Sequence, residues 1–223
     1  YSVLNRPQIV DDLNNKEGYE YLIKEYGIDK ALEGKSDVEL MKAALLWETN
    51  LLNHTSNNIA NERDLKSLLE DALKNDTNCK GLSLILSQVL RMYGIKAQAI
   101  GCCCYSDTSE DGHVVVQAYS EELKKWILLD PTDSMMVQDK DGNYLGLREV
   151  REKIANNEEM RFIPGAGYND NIMNEAGFSE YLGYIAKNSC YYIKQEFNYD
   201  GSDKVDNNRR IILVSSNYEE AAD

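Results

Sequence analysis

The fold of this chain follows from residues 79–94, CKGLSLILSQVLRMYG. Apolar residues recur there at i, i+3, i+4, i+7, i+8 and i+11, which is the spacing of one face of an α-helix. These residues are Leu82, Ile85, Leu86, Val89, Leu90 and Tyr93, and Leu84 widens the stripe. Gly94 stands where a glycine commonly ends a helix. The stretch predicts a deeply buried helix that begins at Cys79, directly after the polar loop at residues 75–78.

Helical patterns precede this stretch and strand patterns follow it. Leu40–Leu52 and Leu65–Leu73 have helical spacing, the former after a cap-like Ser36. The later predicted elements are β-rich runs at Ile95–Tyr105, His113–Tyr119 and Lys125–Leu129, helices at Leu147–Asn156 and near Ser179–Lys187, and strands at Cys190–Tyr199 and Arg210–Ser215. Helices followed by a strand meander and a closing hairpin predict one α+β domain over residues 1–223.

Composition narrows the classes of function. The 223 residues include 24 Lys+Arg and 38 Asp+Glu, so the formal net charge is −14, and 43% hydrophobic residues suffice for a sizeable core. A surface this acidic repels phosphate backbones and anionic lipid, which excludes nucleic acid as an expected partner. No stretch approaches the roughly 18–20 apolar residues of a membrane span.

Five cysteines, three of them consecutive at Cys102–Cys104, form a poor disulfide framework. We expect mostly reduced thiols, which slightly favours the cytoplasm; a secreted or cell-surface location stays open because the chain begins at Tyr1 and its native N-terminus is not visible. Consecutive cysteines also lack zinc-ligand spacing, so we expect no metal there. The run Asp139–Asn143 is interpreted as a tight turn, since it lacks the acidic ligand that completes a calcium loop.

Three residues have the chemistry of a thiol nucleophile, its base and the residue that orients the base. Cys79 opens a helix, where unpaired N–H groups and the helix dipole stabilise a thiolate. His113 begins a β-rich run, and Asp130 ends another. Taken singly, each has a structural reading: a small core residue, a turn or surface histidine, and a turn-forming Asp-Pro. If the two strands are neighbours, His113 and Asp130 can meet while the helix presents Cys79 to them.

The same residues lie in motifs that resemble the transglutaminase-like (transglutaminase core) superfamily. The resemblance covers roughly residues 38–135, the predicted core, with a helical extension before it and a helix and hairpin after it. The motifs are NCKGLS at 78–83, YGIKAQAIG at 93–101, GHVVV at 112–116 and WILLDPT at 126–132. Two positions depart from the family pattern: Gln98 replaces a common arginine, and Val115 replaces a tryptophan often found two residues after the histidine.

The resemblance implies a papain-like α+β fold, with the cysteine-bearing helix packed on an antiparallel sheet, and a catalytic triad of Cys79, His113 and Asp130. It implies acyl transfer through a thioester, without cofactor or metal, on a protein or peptide substrate. We expect a protease or amidase of bacterial type. The alternatives are glutamine-dependent cross-linking and a non-catalytic peptide-binding module on the same fold. His54, Trp47 and Asn78 are the candidates for substrate contact or oxyanion stabilisation; the oligomeric state is left open.

Overall fold

The computed structural model describes residues 16–58, 65–104, 112–195 and 210–212. Within these ranges the helices are α1 Lys16–Tyr26, α2 Ile28–Leu32, α3 Asp37–Leu51, α4 Leu65–Asn75, α5 Cys79–Met92, α6 Leu147–Ala155 and α7 Glu175–Lys187. The strands are β1 Ala97–Cys103, β2 Gly112–Ser120, β3 Lys125–Leu129, β4 Val137–Asp139, β5 Met160–Phe162, β6 Gly167–Tyr168, β7 Asn171–Ile172, β8 Tyr191–Gln195 and β9 Arg210–Ile212. The predicted turn at 106–112 and the loop at 200–208 lie largely or wholly outside the described residues.

Helix α5 is the centre of the core. Residues 81–90 are all buried, so this helix is enclosed around its whole circumference and not only on its predicted apolar face. It packs against α3 and α4 on one side and against β1 and β2 on the other. Gly94, at φ +83°, ends it in the left-handed region, as expected for a terminating glycine.

One antiparallel sheet carries the strand half of the fold, in the order β3-β2-β1-β8-β9. The first three strands of the chain, β1 to β3, form the predicted meander. Cys102 lies opposite His113 in the β1–β2 register. The C-terminal strands β8 and β9 extend the same sheet, because β8 pairs with β1. The prediction of an α+β fold with the cysteine-bearing helix on an antiparallel sheet is confirmed.

Two short ribbons were missed by sequence reasoning. β4 pairs with β5, and β6 pairs with β7. Strands of two or three residues leave too few positions for a period-2 pattern, so nothing in their sequence distinguishes them from loop. α7 also begins four residues before its predicted start, because Asn174 caps it by accepting a hydrogen bond from the Gly177 N–H at 2.9 Å.

No helix within the described ranges combines the length and the apolar character that crossing a bilayer requires.

The entry to α5 is closely packed. A Cβ placed on Gly81 lies 2.1 Å from Oγ1 and 3.0 Å from Cβ of the buried Thr77. Thr77 in turn forms a parallel bridge with His54. The glycine two residues after Cys79 therefore lets two segments of the chain meet beside that cysteine.

We predict that Gly81→Ala lowers the free energy of unfolding by about 1–3 kcal/mol, because overpacking against a short, buried, β-branched side chain outweighs the gain in helix propensity. Gly183→Ala in α7 is the matched control, since a Cβ there meets nothing within 4 Å. That variant gains up to about 1 kcal/mol from helix propensity. Denaturant unfolding measures both; equal stabilisation of the two variants would contradict the packing argument.

Candidate active site

Cys79 is the first residue of α5, and its surroundings are set by the N-terminus of that helix. The side chain of Asn78 accepts a hydrogen bond from the Gly81 N–H at 3.1 Å and so caps the helix. The thiol is partly exposed. It therefore lies at the positive end of the helix dipole while remaining accessible from one side.

A buried contact ties the helix to the strand that carries His113. The Ser83 hydroxyl donates to the Val114 carbonyl at 2.9 Å. Ser83 is one turn after Cys79, and Val114 directly follows His113. The distance between thiol and imidazole is thus held by a hydrogen bond next to both residues.

His113 and Asp130 form a buried pair. The His113 Nε2 lies 2.5 Å from the Asp130 Oδ2, and the two side chains are 4% and 0% exposed. The other carboxylate oxygen accepts the Thr132 N–H at 3.1 Å. The backbone of Asp130 exchanges two hydrogen bonds of 2.8 Å with Met135. Hydrogen bonds therefore fix both the side chain and the backbone of this residue. Since Nε2 is used by Asp130, Nδ1 is the nitrogen left for Cys79.

The pKa values of the thiol and the imidazole move in the directions that an ion pair requires. Burial raises the pKa of Cys79, but hydrogen bonding from His113 and from His54, together with the charge on His113, lowers it to about 6. Burial lowers the pKa of His113, but the charge and hydrogen bond of Asp130 raise it well above its usual value. At a pH above the pKa of Cys79 and below that of His113, the pair exists as thiolate and imidazolium.

His54 is the second histidine that interacts with the Cys79 thiol. The segment after α3 runs beside Thr77, with the Thr55 N–H donating to the Thr77 carbonyl at 2.8 Å. This places the His54 imidazole against the thiol, where it contributes to the lowered pKa. Its Nδ1 lies 2.9 Å from the Tyr168 hydroxyl.

The Trp47 side chain contacts helix α1. It is on α3, and its indole N–H donates to the Tyr26 carbonyl at 3.1 Å. Of the three sequence candidates for substrate contact or oxyanion stabilisation, the structure brings His54 to the thiol, uses the Asn78 side chain as a helix cap and engages the Trp47 indole with α1.

Four residues of this region were missed by sequence reasoning. The Tyr184 ring packs edge-on against His113, with centroids 5.3 Å apart, and its hydroxyl donates to the Gly112 carbonyl at 3.1 Å. Tyr181 is buried, and burial together with the charges of Asp130 and Asp133 raises its pKa. The third and fourth are Asp133 and Tyr168, which line the cavity beside this site. The i, i+3 spacing of Tyr181 and Tyr184 places them on one helix face, but sequence spacing does not say which strand that face meets.

A cavity of about 370 Å³ opens beside this site. Asp133, Tyr168, Tyr181 and Tyr184 line it, together with Glu180 and residues of the β6–β7 ribbon. Burial and the charge of Asp130 raise the pKa of Asp133 to about 7, although the two histidines act in the opposite direction. A larger cavity of about 570 Å³, around residues 123–158, is lined by none of the site residues.

The remaining cysteines are placed differently from Cys79. Cys102, opposite His113 in the sheet, is fully buried, and burial raises the pKa of its thiol well above the usual value. Cys103 is partly exposed and Cys104 is buried. Among the described residues, no group of three or more His, Cys, Asp or Glu side chains is arranged to hold a metal ion.

We predict that iodoacetamide labels Cys79 with a rate that rises through pH 6 and levels off above it, because only the thiolate reacts. His113→Ala removes the main stabilising partner, so the apparent pKa of Cys79 rises by about two units and labelling at pH 6 falls roughly 50-fold. Mass spectrometry identifies the labelled residue. Labelling of Cys79 no faster than that of Cys103 or Cys190 would contradict this interpretation.

Comparison with known proteins gives a match to one family model and matches to two solved structures. The family model described as "Transglutaminase-like superfamily" matches residues 24–131, which begins earlier than the predicted core. A solved structure of a candidate cysteine protease from Cytophaga hutchinsonii is 17% identical, with a TM-score of 0.39, over 47% of this chain and 35% of that one. A TGase structure is 18% identical, with a TM-score of 0.37, over 54% of this chain and 32% of that one. The chain thus spans about a third of the length of these solved chains. The search of curated proteins found no match.

Proposed function

We propose that this protein is a cysteine-dependent acyl-transfer enzyme, because residues 24–131 match the family model described as "Transglutaminase-like superfamily". In this proposal it attacks protein or peptide amides through a thioester and acts as a protease or amidase. The observation that carries the proposal is the buried His113–Asp130 pair at 2.5 Å, which leaves the second imidazole nitrogen for a thiol at a helix N-terminus.

In the first half of the reaction, His113 holds the proton taken from Cys79 and the thiolate attacks the amide carbon. The carbonyl electron pair moves to oxygen, which the backbone N–H of Cys79 is suited to stabilise because it belongs to the free N–H groups of α5. When the intermediate collapses, the carbon–nitrogen bond breaks and His113 gives its proton to the departing amine. Asp130 orients the imidazole and balances its positive charge throughout.

In the second half, water attacks the thioester while His113 takes its proton, and the carboxylic acid leaves as Cys79 is regenerated. A primary amine in place of water gives an amide, which is the cross-linking alternative. Hydrolysis is our first choice on the strength of the family resemblance. Whether water or an amine reacts depends on which of them reaches the thioester, because the same residues of the protein act in both cases.

The cavity beside the pair is the place for the substrate, because Tyr184 and Tyr168 connect it to His113 and His54. Two carboxylates, Asp133 and Glu180, line it, and no lysine or arginine of the described residues does. Aromatic walls with carboxylates suit a basic side chain, which gains both charge attraction and contact with the rings. We infer a preference for peptides with lysine or arginine near the amide that is attacked.

We predict that Cys79→Ala abolishes turnover of peptide amides, and that Asp130→Asn lowers kcat by about 10²- to 10⁴-fold because the imidazole loses its orientation and its counter-charge. Product amine is measured by mass spectrometry, with hydroxylamine added to trap the acyl group. Methylamine added in a parallel series diverts the product to an amide if amines compete with water.

The matched control is Cys190→Ala, whose thiol donates to the Lys187 carbonyl at 3.7 Å. It retains wild-type turnover. A folded wild-type protein that forms no acyl adduct on Cys79 with any amide would support the non-catalytic peptide-binding module instead.

We predict that Glu180→Gln lowers the ratio of kcat/KM for a lysine-containing peptide to that for its norleucine analogue by about threefold to tenfold, because one carboxylate no longer attracts the ammonium group. The assay is run at pH 8, above the pKa of Asp133. Glu159→Gln, an exposed acid outside the cavity, is the control. An unchanged ratio in Glu180→Gln would remove the argument for basic substrates.

A further inference from the structure

The ribbon of β6 and β7, residues 167–172, is docked on His54. The Asn169 side chain accepts the His54 N–H at 2.8 Å and donates to the His54 carbonyl at 3.3 Å. At its other end the Gly167 N–H donates to the Asp133 carbonyl at 2.7 Å. The ribbon thereby joins the segment that carries His54 to the loop that follows Asp130, and both flank Cys79.

Close packing and backbone conformation keep the ribbon in this position. A Cβ on Gly167 lies 2.1 Å from the Asn171 carbonyl oxygen, so the two strands approach as only glycine permits. Asn169 has φ +50°, a left-handed conformation that asparagine tolerates better than most residues. Because Asn169 hydrogen-bonds both backbone groups of His54, the backbone that carries the imidazole is fixed in position.

Tyr168 contacts that imidazole through its hydroxyl and its ring. The hydroxyl is 2.9 Å from Nδ1, and the two rings pack edge-on with centroids 5.5 Å apart. Since Nδ1 is used by the tyrosine, Nε2 is the nitrogen left for the hydrogen bond to Cys79. A thiolate can only accept a hydrogen bond, so in the neutral ring Nε2 carries the proton, and Nδ1 then accepts the proton of the Tyr168 hydroxyl.

We propose that Tyr168 is a positioning residue that donates its O–H to Nδ1 of His54, fixes the Nε2–H tautomer and so directs that N–H at the sulfur of Cys79. The inference rests on the proposed function in that it takes the Cys79 thiolate to be the reacting species. The opposite arrangement, with Nδ1–H donating to the tyrosine oxygen, sets the Nε2 lone pair against the thiolate and destabilises it.

The two histidines therefore have different roles, and each role depends on the group that the second ring nitrogen binds. His113 has a carboxylate on its second nitrogen and takes up the proton of Cys79. His54 has a phenol on its second nitrogen and keeps one proton, on Nε2, as a fixed donor. As negative charge leaves the sulfur during attack on a carbonyl, the same N–H becomes available to the oxyanion, as a side-chain donor beside the backbone N–H of Cys79.

The test uses the fact that the chain has two histidines. The full chain is labelled with ¹⁵N-histidine, and long-range ¹H–¹⁵N spectra are recorded at pH 8, with His54→Asn to assign the signals. In the wild type we expect one imidazolium, from His113, and one neutral ring protonated at Nε2, from His54. In Tyr168→Phe we expect the neutral ring to become a mixture of the two tautomers.

Iodoacetamide labelling gives the second readout. In Tyr168→Phe we expect the apparent pKa of Cys79 to rise by about half a unit to one unit, a loss of thiolate at pH 6 of about twofold to fivefold. Tyr19→Phe is the control, because it removes a tyrosine hydrogen bond of 3.1 Å to Asp29 away from the site. It leaves both the spectrum and the labelling unchanged.

A wild-type His54 protonated at Nδ1, or a Tyr168→Phe spectrum and labelling profile equal to the wild type, overturns the proposal. Neither measurement needs turnover. A protein that shows the tautomer change but hydrolyses no amide keeps the assignment of Tyr168 and loses the proposed function, so the two failures are separate.

Discussion

The buried hydrogen bond between His113 and Asp130 is the interaction around which the rest of this structure is arranged. Removing a carboxylate from water costs several kcal/mol, and only further hydrogen bonds and a counter-charge make such a pair tolerable. The Thr132 N–H supplies a second bond to the carboxylate, and the paired backbone bonds with Met135 hold its position. On the other side, the positive imidazole is balanced by the thiolate of Cys79.

The packing of helix α5 places Cys79 beside this pair. α5 is buried on every side, which leaves it no freedom to slide or rotate, and its first turn is tied to β2 by the Ser83–Val114 hydrogen bond. An enclosed helix has another effect: its N-terminus, with unpaired N–H groups and the positive end of its dipole, is held at one place near the surface. Rigid packing inside thereby holds the Cys79 thiol at the N-terminal end of the helix.

Much of this could be predicted from residue pattern. The period of α5, the change to strand patterns after Gly94 and the three-strand meander are local features, because each depends on neighbours within a dozen residues. The α+β fold followed from their order. The motifs around Cys79, His113 and Asp130 were recognisable too, since a nucleophile, a base and an orienting acid need fixed residue types.

The tyrosines beside the site were not predictable, because they lie far along the sequence from the residues that they contact. Tyr168 is 114 positions from His54, and Tyr184 is 72 from Gly112. A short ribbon and a tyrosine pair have no pattern that names their partner, so their role exists only once the chain has brought them to the cleft.

Residue type and spacing thus specify which groups can do the chemistry and which helix presents them, since these depend on local periodicity and on the chemistry of single side chains. Long-range packing specifies which partner each imidazole has. His54 and His113 are the same residue type, and they differ because one folds against a phenol and the other against a carboxylate.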